Sequence, residues 1–157
     1  MSRSQQLATR FREVMLNGFW IANTNYKKLL SDTDWQQATT KVSDLNTIAL
    51  LTFHINYYIA GVADVFAGGK LAIRDKHSFE LPPIESAADW EQLKNSLFEN
   101  SERFAKLVEA MSEKELELPF ANSKYGTNDK NIDAMIEHSY YHMGQVVLIR
   151  KLLKSGV

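Results

Sequence analysis

The sequence predicts an all-α fold, and within that class a four-helix bundle. Apolar residues recur at helical spacing in four segments of roughly 22–27 residues. Only seven glycines and three prolines occur in 157 residues, and most of them fall between these segments. The connection between the second and third segments is longer than antiparallel neighbours need. We therefore expect it to run the length of the bundle, which gives up-down-down-up topology with helices 2 and 3 parallel.

The first two helices are predicted from apolar periodicity and from polar stop signals. Helix 1 is expected over residues 4–30, and the polar segment 31–44, SDTDWQQATTKVSD, is expected to form turns. Helix 2 is expected to begin near Asp44, with that residue or Ser43 as its N-cap. It should run to about Phe66, because a Gly-Gly pair follows.

The last two helices have clearer boundary signals. Residues 68–85 hold two glycines and a Pro-Pro pair, so they are expected to form the crossover connection. Ser86, followed three residues later by Asp89, resembles a capping box and should open helix 3. After a second break with proline and glycine, helix 4 is expected over 128–153, with Gly156 just beyond its end.

Composition limits the classes of protein to which the chain can belong. Apolar residues make up 45% and charged residues 24%, as in ordinary globular domains, and we expect one domain over residues 1–157. A net charge of −1 gives no electrostatic reason to expect nucleic acid or a membrane as partner. Zero cysteines exclude disulfides, thiolate ligands and a cysteine nucleophile. We see no signal peptide and no apolar stretch of the roughly 18–20 residues that span a bilayer, so we expect a cytoplasmic protein.

Three of the four histidines are predicted to converge. His138 and His142 are four residues apart on helix 4, so both rings lie on one helical face. His54 lies on the buried row of helix 2. A single such histidine is usually a core residue with a hydrogen bond, but burying three imidazoles is costly unless they share a partner. A divalent cation would satisfy all three and would keep open positions, as reactive metal sites do. His77, in the connection, is expected to be a solvated loop residue.

Residues near the histidines are weaker candidates. Tyr58 and Gln145 are predicted to face the same cavity, where they could orient a substrate. Tyr141 should lie at the edge of this face, whereas Glu137 and Asn56 should point away from it. The helix 4 motif reads H-S-Y-Y-H, so it lacks the glutamate base of zinc proteases. Six aromatic residues at helical spacing are expected in the core: Phe11, Trp20, Phe53, Tyr57, Phe98 and Phe104.

The segment EHSYYHMGQVVLIRKLL, Glu137 to Leu153, resembles the last bundle helix of the DinB-like (YfiT-like) proteins. The shared pattern is His, three residues, His, one residue, Gly-Gln and an apolar helix, and His54 in FHINYY matches the remaining ligand. The resemblance extends over the whole chain in length and helix order. It implies an up-down-down-up bundle and a divalent metal, usually zinc or nickel, on His54, His138 and His142. It also implies a homodimer.

Family members of known activity include thiol-dependent enzymes, such as bacillithiol or mycothiol S-transferases. We therefore expect a metal-dependent S-transferase that uses a low-molecular-weight thiol, since the chain has no cysteine of its own. Metal-assisted hydrolysis is an alternative, although no general base is evident. The alternative from another class is a non-catalytic, stress-associated dimer that binds a metal or a small ligand. Three imidazoles suit several metals, so the residues alone do not select one.

Overall fold

A computed structural model describes residues 1–156 of the chain, and this part is all-α, as predicted. These residues form no β-strand. Their one β-type pairing is an isolated antiparallel bridge between Pro119 and Thr127. Single turns of 3-10 helix occur at Asp75–His77 and Ser123–Tyr125. The seven α-helices are α1 (Arg3–Arg12), α2 (Tyr26–Ser31), α3 (Trp35–Thr39), α4 (Ile48–Phe66), α5 (Ala87–Glu109), α6 (Glu113–Glu117) and α7 (Asn128–Ser155).

The predicted length of helix 1, residues 4–30, is wrong. α1 continues as a π-helical turn, Glu13–Asn17, and then stops at Gly18, whose backbone is extended (φ −93°, ψ 158°). Asn25 fixes the break, because its side-chain amide donates to the Gly18 carbonyl (2.9 Å) and its oxygen caps α2. The intervening loop leaves the helical path, so Trp20 is 86% exposed rather than in the core.

Of the other five aromatic residues expected in the core, three lie in or beside it. The rings of Phe11 and Phe104 are buried, and their centroids are 4.3 Å apart between α1 and α5. Phe98 is half-buried and packs against the core. Phe53 and Tyr57 are also half-buried but do not pack against the core, so the prediction is wrong for these two residues.

The segment expected to be only turns contains α3, whose N-terminus is closed by a capping box between Asp34 and Gln37. α4 begins at Ile48 and is capped by Thr47, so the predicted start at Asp44 or Ser43 is wrong. Ser43 has a positive φ of 49°, a turn conformation that does not lead directly into a helix. The predicted end of α4 at Phe66 is confirmed.

The predictions for α5 and α7 are confirmed closely. Ser86 caps α5, accepting from the Asp89 backbone and donating its hydroxyl to the Asp89 carboxylate (2.8 Å). α7 begins at Asn128, and Gly156 terminates it in the left-handed conformation (φ 75°). α6, a five-residue helix in the second break, was not predicted.

The direction in which neighbouring helices run follows from their side-chain pairs. α4 and α5 are parallel, because Asn56 donates to Ser96 (3.0 Å) and Asp64, further along α4, pairs with Arg103 (2.7 Å). α4 and α7 are antiparallel, since His54 lies against His142 whereas Tyr58 lies against His138. α1 and α7 are parallel, because Arg3 pairs with Asp129 and Arg10 with the later Asp133.

α4 is the most apolar helix and lies in the core. It has 19 residues and a mean hydropathy of 1.3, so it meets the length and composition of a membrane span, contrary to the sequence expectation. Half of an 18-residue stretch of this helix is buried inside the protein, as in a core helix. Its buried side chains therefore have protein partners.

Hydrogen bonds and a close contact fix the crossover connection to the middle of α4. The Tyr57 hydroxyl accepts from the Arg74 backbone nitrogen (2.9 Å) and donates to the Arg74 carbonyl (3.1 Å). Ile73 packs directly on Gly61, where a Cβ atom would come within 2.4 Å of the Ile73 Cγ1 atom. The absence of a side chain at position 61 thus allows the connection to approach the helix and reach the histidines.

Candidate metal centre

The three predicted histidines meet where α4 and α7 cross. The His138 Nε2 atom lies 2.9 Å from His142 Nε2 and 3.2 Å from His54 Nε2. His54 and His142 are 6% and 7% exposed, and His138 is partly buried. One nitrogen from each ring falls within 4.8 Å of the other two, so the set meets the spacing of a metal site.

These distances fit a single bound cation. Histidine nitrogens lie about 2.0–2.1 Å from zinc, so two nitrogens in a tetrahedral site are about 3.4 Å apart. The two measured separations are slightly shorter than this, and small ring rotations would open them. All three ligands are neutral imidazoles, which suit zinc, nickel, copper or iron. The donor set therefore fits a divalent metal ion.

Gln145 fixes the ring of His142 in the state that a metal needs. The Gln145 side-chain oxygen lies 2.6 Å from His142 Nδ1, which donates its hydrogen to that oxygen. The proton is thus held on Nδ1, and the Nε2 lone pair faces the other two rings. Hydrogen bonds of this kind orient histidine ligands in metal proteins.

The site keeps its imidazoles neutral. Burial lowers the pKa of His138 to about 4, and repulsion from His142 and His54 acts in the same direction. Burial also lowers the pKa of His54 and of His142. Because neutral rings present lone pairs, a cation would not compete with protons at neutral pH.

The buried Nδ1 atom of His54 has no hydrogen-bond partner among the described residues. The Ser78 backbone is close enough to favour a proton on this ring, and Ser78 is itself buried. The Phe79 ring stacks on His54 with centroids 4.2 Å apart and an interplanar angle of 16°. The crossover connection thus closes the site on the His54 side.

Tyr58 lies beside the histidines, as predicted, but its hydroxyl is engaged elsewhere. Its ring packs edge-on against His54 (5.1 Å) and His138 (5.4 Å). Its hydroxyl donates to the Asp75 carboxylate (2.8 Å). Burial raises the pKa of Tyr58, and the bond to Asp75 raises it further, so the phenol stays protonated. Orientation of a substrate by Tyr58 or Gln145 stays a prediction.

The other residues named from sequence lie outside the cluster. His77 is bonded to Glu80 (2.6 Å) in the connection. Tyr141 packs edge-on against His142 and is 65% exposed, so it lies at the rim as expected. Glu137 is exposed, and Asn56 bonds to α5 instead of the histidines.

A cavity of about 580 Å³ adjoins the cluster on the side of Tyr58 and His138. This volume is in the range of small-molecule sites. Its wall is mostly apolar, with polar groups from the crossover connection and α7. The lining residues are Tyr58, Val62, Leu71, Ile73, Arg74, Asp75, Phe120, Tyr125, Asn131, Ala134, Met135 and His138. Gln145, which was expected to face the same cavity as Tyr58, is not among them and lines a separate pocket with Leu51 and Leu148.

Sequence reasoning missed the contribution of the crossover connection. Arg74, Asp75, Ser78 and Phe79 all contact the site or its cavity. The connection is irregular, so no helical period predicts which of its side chains turn toward α4. The one available signal was the pair Tyr57-Tyr58, because partly buried phenols need partners for their hydroxyls.

The resemblance to DinB-like proteins stays a prediction, based on the helix 4 motif and His54. Comparison with known proteins yields no matching family model, no matching curated protein and no matching solved structure.

Proposed function

We propose that this chain is a DinB-like metal protein built as an up-down-down-up four-helix bundle. The directions of α1, α4, α5 and α7 support this topology. α4 and α5 run in parallel, α1 and α7 run in parallel, and α4 and α7 are antiparallel. The long crossover between α4 and α5 is the connection that such a topology requires.

We propose that His54, His138 and His142 hold one divalent metal ion, with zinc or nickel as the first choices. The convergence of three neutral imidazole nitrogens is the observation that carries this proposal. Three side-chain ligands leave coordination positions open, as in catalytic sites. When bound there, a divalent cation would lower the pKa of a thiol or a water that reaches it.

The proposed reaction is the transfer of a low-molecular-weight thiol to an electrophilic carbon. A carbon–sulfur bond forms, the leaving group departs with its bonding electrons, and the thiol proton passes to solvent. The thiol must come from solution because the chain has no cysteine. The apolar wall of the cavity would bind the acceptor and exclude water, while Gln145 holds His142 and Tyr58 shapes the wall beside His138.

Elemental analysis and an activity assay test the two parts separately. Protein purified without a histidine tag should hold close to one metal per chain, and the triple alanine variant of the histidines should hold none. An empty wild type after growth with zinc and nickel would refute the metal site. Metal-loaded protein is then incubated with bacillithiol, mycothiol or glutathione and a chloroaromatic acceptor. No metal-dependent conjugate with any of these thiols would refute the transferase.

A non-catalytic, stress-associated dimer that binds a metal or small ligand is the second candidate. The stacking of Phe79 on His54 favours it, because this ring closes one side of the site. The cavity beside His138 favours the enzyme, since it gives a small molecule access. Metal-dependent hydrolysis is a third candidate, and the pairing of Asp75 with Tyr58 leaves it without an evident free base. Turnover of ester or amide panels would identify that activity.

We further propose that the protein acts in the cytoplasm as a homodimer on small molecules, without nucleic acid or a membrane as partner. The near-neutral net charge of −1 supports this choice of partners. Light scattering of the purified protein would measure its oligomeric state, and a monomeric mass would refute the dimer.

A further inference from the structure

The cavity beside His138 has a chemical polarity that indicates what it binds. Its wall is built largely from aliphatic and aromatic side chains of α4, α7 and the two connections, among them Val62, Leu71 and Phe120. Arg74 is the one arginine or lysine among the described residues that line it. An apolar wall with a few polar groups is the usual composition of a site for a small organic molecule.

Arg74 differs from the other arginines in having no partner for its side chain in residues 1–156. Four arginines form ion pairs with carboxylates, and Arg150 donates to the Asp32 carbonyl. The Arg74 backbone, in contrast, is held by both hydrogen bonds to Tyr57, and Arg74 is an exposed residue that lines the cavity. Its position is thus fixed at the main chain, and its five N–H donors remain available to a ligand.

The neighbouring carboxylate, that of Asp75, does not pair with the Arg74 guanidinium. The Asp75 carboxylate accepts the Tyr58 hydroxyl (2.8 Å), which directs it toward α4. No ion pair between Arg74 and Asp75 occurs in the described part of the chain, although the residues are adjacent. The guanidinium fork can hold a planar carboxylate through two parallel hydrogen bonds.

We propose that this cavity binds an organic carboxylate with an apolar body, and that Arg74 selects its carboxylate group. The apolar body lies against Val62, Phe120 and Met135, and the carboxylate lies at the end formed by the crossover connection. This inference rests on the proposed function in one respect, because the organic carboxylate is taken to be the class of substrate that reacts at the metal site. Arg74 acts in specificity and has no part in holding the metal.

The test compares two probes of the same shape, 2-naphthoate and the neutral 2-naphthamide, by titration calorimetry on zinc-loaded protein. We expect wild type to bind the carboxylate about fivefold to tenfold more tightly, as for a charge-assisted bond at a partly solvated site. Arg74→Gln should abolish this preference while binding of the amide stays unchanged. Arg74→Lys should keep part of it, since a point charge replaces the fork.

Two further variants serve as controls. Arg103→Gln removes an arginine that pairs with Asp64 of α4 and does not line the cavity, and should bind both probes as wild type does. Ala134→Phe places a ring in the cavity from an exposed position of α7 and should weaken both probes together. If Arg74→Gln kept the preference, or if wild type bound neither probe, the proposal would be overturned.

The zinc content of each sample separates this proposal from that of the metal site. His142 does not line the cavity, so His142→Ala should lose the metal but keep the Arg74-dependent preference. The opposite result is that the preference for the carboxylate is lost in His142→Ala and is unchanged in Arg74→Gln. The metal ion would then be the group that binds the carboxylate, and the role of Arg74 would be refuted. A wild type without zinc that still prefers the carboxylate would refute the metal proposal alone.

Discussion

Gly61 lies on α4 where the crossover connection packs, and replacing it with alanine perturbs that contact without changing charge. An alanine Cβ atom would come within 2.4 Å of Ile73 Cγ1 and 2.9 Å of Ile73 Cδ1. Ordinary carbon contacts are about 3.5–4.0 Å, so Ile73 must move away by about 1 Å. The main chain bonded to Tyr57 follows directly after Ile73, so the displacement should reach Arg74 and Asp75.

Two opposing effects set the size of the change. Overpacking of this kind costs about 1–3 kcal/mol, whereas alanine in place of glycine within a helix gains up to about 1 kcal/mol. We expect Gly61→Ala to lower the free energy of unfolding by about 1–2 kcal/mol. For a protein of this size, that corresponds to a melting temperature about 2–8 °C lower.

Gly144 provides the matched control. It lies exposed in the middle of α7, and a Cβ atom added to it would meet nothing within 4 Å. Gly144→Ala should therefore stabilise the protein by about 0.5–1 kcal/mol through helix propensity alone. Urea unfolding of both variants, in metal-free protein, measures the difference. If Gly61→Ala were as stabilising as Gly144→Ala, the tight contact between α4 and the connection would be refuted.

Two further predictions concern the histidines. Gln145→Leu removes the acceptor of the His142 Nδ1 hydrogen and should weaken zinc binding about 10–100-fold in chelator competition, whereas Gln145→Glu should retain it. Metal-free protein should also lose stability as the pH falls from about 6.5 toward 4. The pKa of His138 is near 4 in the fold and ordinary in the unfolded chain, so unfolding takes up protons in this window. Allowing for the partial exposure of His138, the loss should be about 1–2 kcal/mol by urea unfolding at pH 7.5 and pH 4.5.

A specific result would contradict each of these two predictions. Unchanged zinc affinity in Gln145→Leu would mean that the hydrogen bond does not orient the ligand. For the pH experiment, His138→Gln is the control, because it removes one of the depressed pKa values and should reduce the slope. The same acid sensitivity in wild type and His138→Gln would assign it to other groups, such as carboxylates.

The predictions that held depended on signals local to one helix. The spacing of His138 and His142 is a property of α7 alone, and the caps at Ser86 and Gly156 mark helix ends in the same local way. His54 required only that the buried rows of two helices meet. These parts of the fold and the site follow from periodicity and desolvation, and both can be read from a single sequence.

The predictions that failed depended on backbone geometry that periodicity does not encode. Residues 4–30 keep apolar spacing across Gly18, but the chain turns there because Asn25 bonds back to the Gly18 carbonyl. The loop that results has positive φ at Ala22 and Asn23, and exposes Trp20. In the same way, the contacts of Arg74 and Asp75 depend on tyrosine hydroxyls that act across 17 residues.

The tyrosine pair on α4 also determines where this chain tolerates changes of length. Tyr57 and Tyr58 hold residues 74 and 75, and Ser78 and Phe79 lie against His54, so one stretch of the connection has a fixed register. The exposed Gly68–Lys70 and Pro82–Pro83 lie outside that stretch. Insertions at either place can bulge into solvent, whereas a single residue added between Ile73 and Phe79 would shift every contact that follows it. Length variation in this connection should therefore be confined to its two ends.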